Sequence, residues 1–316
     1  MRSGKDHFIN EQGDAHLKEE QAIDKPVILD YTYYPRSFIT YRWYRPVITG
    51  ILFVVLYYAF GIGLVFTSLS VKGGEFMSAL ESFAGGYDTM DVYTPLGAFV
   101  SLGSVAVMIP ALALANLIAG KRTFRSYSSS RGGWNNRIFF RTLAIAIPVC
   151  AVPVALENII VYGRVNPNRF TIAGFILLTI LGPLQCIAEE YGFRGILMQA
   201  VGSWVKFAPL AILTSSAAFA TMHPYNTIGV INIFADGCCF CIVAWLTRGL
   251  EASSALHIAN NMAIFYTTGF GFGKISSEVL VGDAIFSIAI DIVFIIVIII
   301  CRKRGMFDEI KGNDAE

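Results

Sequence analysis

Charge is scarce in this 316-residue chain: Asp, Glu, Lys and Arg make up 15% of it, against 55% hydrophobic residues. A soluble domain carries about a quarter charged residues, so this scarcity excludes a water-soluble body of ordinary composition. The net charge is only +1, which leaves no global positive field to draw nucleic acid. Polar-loop cysteines are missing too. Cys150, Cys186, Cys238, Cys239, Cys241 and Cys301 all fall inside or at the ends of apolar runs, which excludes a disulfide framework. The Cys238, Cys239, Cys241 group lacks a second Cys/His pair at ligand spacing and reads as small buried residues, not as a metal site. The N-terminal stretch MRSGKDHFINEQGDAHLKEEQ has no short apolar core of a cleavable signal peptide. Membrane insertion is therefore expected to begin with the first internal apolar helix.

What the chain has in quantity is long apolar runs. Crossing the hydrocarbon core takes about 20 apolar residues, and runs near 47–69, 96–119, 142–162, 170–188, 207–223, 227–247, 252–270 and 281–301 meet or approach that length. They predict an all-α, polytopic membrane bundle of about eight transmembrane helices. The expected organisation is a polar cytoplasmic tail over 1–46, a membrane domain over 47–301 and a short cytoplasmic tail over 302–316. Lys121, Arg122, Arg125, Arg131, Arg137 and Arg141 fall in one acid-free stretch, whereas Lys72 is outnumbered by Glu75, Glu81, Asp88 and Asp91 in the loop before it. The bias of cytoplasmic loops toward Lys and Arg puts the first stretch, and both termini, inside.

Ionisable groups at membrane depth cost several kcal/mol by the gentlest scales, about 2.5–3.5, so each is a functional candidate. In GPLQCIAEEYGFRGILMQA, Glu190 and Arg194 stand i, i+4 and pair along one helix face, while Glu189 lies about 100° round the helix. Phe219 and His223 share a face at the end of the fifth run, with Pro224 closing it, and His257 and Asn261 share one in the seventh. A carboxylate that activates water, with His and Asn donors for a developing oxyanion, is the minimum equipment for amide hydrolysis. For these groups to meet, helix four must run on through the motif to about Gln199 and turn between Gly202 and Lys206. His257 would still be shallower, only about 10 Å in if its helix started near Glu251, at about 1.5 Å per residue, so a tilted or broken helix is expected. Glu157, Asp236 and Asp291 also lie in or near apolar runs; pairing or packing is the expected role of Asp236.

Glu189-Glu190-Tyr-Gly-Phe-Arg194, Phe219-Ala-Thr-Met-His223 and His257-Ile-Ala-Asn-Asn261 resemble, in order and spacing, the EExxxR, FxxxH and HxxxN motifs of the CAAX-protease and bacteriocin-processing (CPBP, or Abi) family. That family includes the type II CAAX prenyl endopeptidases. The resemblance covers about 140–270. It implies an intramembrane endopeptidase with Glu189 as general base, His223 assisting, His257 and Asn261 stabilising the oxyanion, and Glu190, Arg194 and Phe219 in support. It also implies a peptide or membrane-protein substrate and no nucleic-acid partner. No cofactor is favoured: a zinc site of Glu189, His223 and His257 is the alternative, but no H-E-x-x-H helix supports it. Rival readings are a membrane scaffold that regulates a partner and a secondary transporter, the latter opposed by the lack of an inverted repeat. A multi-pass protein of a bacterial plasma membrane is the expected location.

Overall fold

The computed structural model describes residues 30–70, 91–273 and 276–308. Most of the expected N-terminal tail, the loop residues Lys72, Glu75, Glu81 and Asp88, and residues 309–316 lie outside the described residues. Eight long helices are present among those described, and they coincide with the eight apolar runs: α1 Arg45–Ser70, α2 Pro95–Gly120, α3 Asn136–Tyr162, α4 Ile172–Val205, α5 Ala208–Thr221, α6 Thr227–Thr247, α7 Leu250–Gly269 and α8 Val281–Lys303. Six of them, all but α5 and α7, are long and apolar enough to cross a membrane. The protein is a multi-pass, all-α membrane bundle.

Local chemistry sets the helix ends. Thr94, Thr171 and Asn226 cap α2, α4 and α6 by accepting from backbone N–H groups of Gly97, Gly174 and Gly229, and Pro95 occupies a first-turn position where its missing N–H costs nothing. Lys206 and Arg248, both at positive φ, stop α4 and α6. Helix α3 carries Pro148, which withholds a backbone donor, and its turns at Ile147–Ala151 widen to π geometry.

The outer helices show apolar side chains to lipid: Ile48, Ile51, Val55, Tyr58 and Ile62 lie exposed along one face of α1. Helix α7 is the opposite case. It packs against α3, α4 and α6, and its residues Leu250 to Ala259 are all buried. A helix surrounded by protein need not be apolar all round, which is why α7 can carry Glu251, Ser253, Ser254, His257 and Asn261. Residues expected to form a tail also fold: Tyr31–Ser37 is a 3₁₀ turn that packs on the C-terminal end of α4. There the buried Tyr31 hydroxyl donates to the Tyr127 carbonyl at 2.6 Å.

Candidate active site

The long α4 runs unbroken past Glu189 to Val205, as the motif spacing required. Its backbone changes character just after the two carboxylates, with Tyr191–Met198 in π geometry. The α4–α7 approach is close: a Cβ on Gly182 would lie 2.6 Å from the Met262 sulfur. This contact holds the carboxylates of α4 within reach of the imidazole of α7.

Glu190 and Arg194, both fully buried, pair at 3.1 Å. The same carboxylate oxygen, Glu190 Oε1, lies 3.1 Å from His257 Nδ1. A carboxylate only accepts, so Nδ1 carries the proton in this contact and Nε2 is the nitrogen left for chemistry. His257 Nε2 faces Asn261 Nδ2 at 3.2 Å and Glu189 Oε2 at 3.5 Å. The ring is held by Phe240, stacked at 4.7 Å, and by the edge of Phe219 at 6.0 Å. Arg194 also donates to the Gly237 carbonyl at 3.2 Å and sits over the rings of Phe219 and Phe240, which supply partial negative charge to a cation withdrawn from water.

Glu189 is held differently. Gln185 Nε2 donates to its Oε1 at 2.6 Å, whereas Oε2 has no hydrogen-bond donor among the described residues. Each carboxylate keeps an Oε2 without a donor among the described residues, but Glu190 is held through Oε1 between Arg194 and His257 Nδ1, whereas the open oxygen of Glu189 faces His257 Nε2.

The depth conflict resolves at the start of α7. Glu251 is fully buried, and its oxygens accept from Arg131 Nη2 at 2.7 Å and the Asn135 backbone N–H at 2.8 Å. Helix α7 therefore begins beneath a polar layer formed by residues 129–135 and is itself unbroken, so of the tilt or break expected the break is absent. Arg131, read from the sequence as one more loop charge, is 2% exposed and belongs to this layer.

His223 stands apart from the expected arrangement. It lies beyond the last turn of α5, its Nδ1 is 2.8 Å from the Phe219 carbonyl, and its ring packs on Phe219 and Tyr225. Phe219 touches both histidine rings and links His223 to His257. Among the described residues, His223 makes no direct hydrogen bond to Glu189. With both His257 nitrogens facing Glu190, Asn261 and Glu189, the residues Glu189, His223 and His257 do not form a three-donor set; among the described residues, no group of three His, Cys, Asp or Glu is placed to hold a metal ion. Asp236 accepts from Asn232 at 3.3 Å and Ser287 at 3.1 Å, tying α6 to α8, in keeping with the pairing role expected of it. Gln185 was not singled out in the sequence; its i, i+4 spacing to Glu189 was the available signal.

Residues 170–263 match the family model described as type II CAAX prenyl endopeptidase Rce1-like, a stretch that contains every motif residue from Glu189 to Asn261. The uncharacterized protein YyaK of Bacillus subtilis (strain 168) is 30% identical over 208 residues, covering 59% of this chain and 69% of the relative. No solved structure matches the chain.

Proposed function

Since this chain belongs to the type II CAAX prenyl endopeptidase Rce1-like family, a family of intramembrane proteases, we propose that it hydrolyses a peptide bond of a peptide or membrane-protein substrate with water activated by Glu189. The observation that carries this reading is the free Oε2 of Glu189 beside His257 Nε2, with Oε1 fixed by Gln185. Glu189 takes a proton from water as the water oxygen bonds to the scissile carbonyl carbon and the carbonyl electron pair moves to oxygen. The oxyanion receives the Asn261 amide N–H, which His257, fixed through Nδ1 by Glu190, holds in place at its Nε2. When the C–N bond breaks, the proton held by Glu189 passes to the leaving amine. His223, with its Nδ1 given to the Phe219 carbonyl, has Nε2 left to act on the attacking water. Comparative proteomics of membrane and secreted peptides, wild type against Glu189→Ala, tests the proposal. Peptides that lengthen or disappear in the variant support it, and an unchanged peptide pool would favour a scaffold.

Two further outcomes follow from the same reading. Cleavage by purified protein is expected to persist after EDTA or phenanthroline; loss restored by stoichiometric zinc would reassign His223 and His257 as ligands. For orientation, we propose that both termini are cytoplasmic, on the basic stretch from Lys121 to Arg141. Thr123 is exposed in that stretch, whereas Ser129 is buried against Arg248. A Thr123→Cys protein is accordingly expected to react with an impermeant thiol reagent only after the cells are opened, and labelling of intact cells would reverse the topology.

A further inference from the structure

At the end of the bundle where α1 begins and α2 finishes, the chain forms a small, partly open recess lined by residues of the N-terminal segment, α1, Gly120 of α2 and Ile196 and Ala200 of α4. Two arginines, Arg45 and Arg122, line it, and no Asp or Glu does among the described residues. Arg122 is already aimed: its guanidinium lies 3.6 Å over the Tyr127 ring, and Nη1 donates to Gln199 Oε1 at 2.7 Å. Arg45 has no such partner. Its Nη1 is buried with no acceptor among the described residues, and the hydroxyl of Thr49, one turn on in α1 and 1% exposed, is likewise unpartnered.

A buried guanidinium N–H and a buried hydroxyl without acceptors cost free energy unless something fills the site. Their common complement is an anion with several oxygens, and a fixed arginine fork suits phosphate in particular. The surroundings point to the source. Trp43 is 70% exposed and Tyr44 stands beside it at the start of a spanning helix, which is the position of aromatic residues at the headgroup level of a bilayer. Pro35, Phe38 and Pro46 supply apolar walls next to the lipid-facing side of α1. We propose that this recess binds the phosphate of an anionic phospholipid, with Arg45, Arg122 and Thr49 as its ligands. The assignment does not depend on the peptidase reading. Through the Arg122–Gln199 bond the bound headgroup would touch α4, the helix that carries Glu189 and Glu190.

The test is a titration of the full chain in neutral detergent with phosphatidylglycerol, phosphatidylcholine or inorganic phosphate, read by native mass spectrometry and by thermal melting. Phosphatidylglycerol is expected to bind and raise the melting temperature well above the effect of phosphatidylcholine. Arg45→Gln removes a guanidinium whose Nη1 has no acceptor among the described residues, so it is expected to melt normally in lipid-free detergent and to bind phosphatidylglycerol about tenfold more weakly. Thr49→Val should weaken it by a smaller factor, and Arg304→Gln, a basic change at the end of α8, should leave it unaltered. Equal binding of the two lipids, an unaffected Arg45→Gln protein, or equal weakening by Arg304→Gln would overturn the site. Inorganic phosphate matching the lipid would overturn the lipid assignment.

Discussion

Glu189→Gln is expected to lower peptide cleavage by about 10²–10⁴-fold, the usual worth of a general base, while leaving the melting temperature within a degree or two of wild type. The isosteric amide keeps an oxygen for the Gln185 donor, which holds Glu189 Oε1 at 2.6 Å, and its NH₂ takes the place of an oxygen that accepts no hydrogen bond within the described protein. No buried charge loses its partner, because Arg194 is paired with Glu190. What disappears is the lone pair that receives the water proton. Single-turnover cleavage in detergent measures the effect, and near-normal turnover by Glu189→Gln would remove the centre of the proposed mechanism.

Glu190→Gln is expected to fail for a different reason, by losing about 3–5 kcal/mol of stability. Glu190 Oε1 faces both Arg194 Nη1 and His257 Nδ1 at 3.1 Å. With the charge gone, the fully buried guanidinium of Arg194 is left with neutral acceptors, such as the Gly237 carbonyl and the new amide oxygen, and with aromatic faces. These do not offset the desolvation of a full charge. A lower melting temperature in detergent and a reduced yield should accompany any loss of cleavage. Replacing Glu190 and Arg194 together with neutral residues should cost less than Glu190→Gln alone, because no unpaired charge is left behind. A Glu190→Gln protein that melts as wild type but does not cleave would instead move Glu190 into the proton-transfer chemistry.

The apolar runs marked all eight helices because lipid imposes a length and a composition that few other environments demand. Glu190 with Arg194 and His257 with Asn261 were readable from i, i+4 spacing, since both pairs lie within single helices. Contacts between helices were not. The shared oxygen of Glu190 joins residues 67 apart in sequence, and no periodicity reports such a distance. Arg131 misled for a related reason: as one of several basic residues in a loop it served to orient the chain, yet it folds inward onto Glu251. His257 looked too shallow because α7 was assumed to start at the surface, and only a folded loop can bury a helix end. Tyr31 was hidden because the aromatics around it, in DYTYYPRSFITYRWY, follow no helical or strand period that would single out the buried one.

The widened stretch Tyr191–Met198 gives the longest helix two faces that do not line up. A π turn holds more residues than an α turn, so the side chains after it are phased differently from those before it. Gln185 and Glu189, ahead of the stretch, address the reaction centre, while Gln199 and Ser203, behind it, meet Arg122 and Tyr41. Chain length is therefore a coded quantity between Glu190 and Gln199. Removing one residue there would leave composition and hydropathy almost untouched, yet it would swing everything downstream by about 100° and turn the polar side chains behind the stretch away from the partners that receive them.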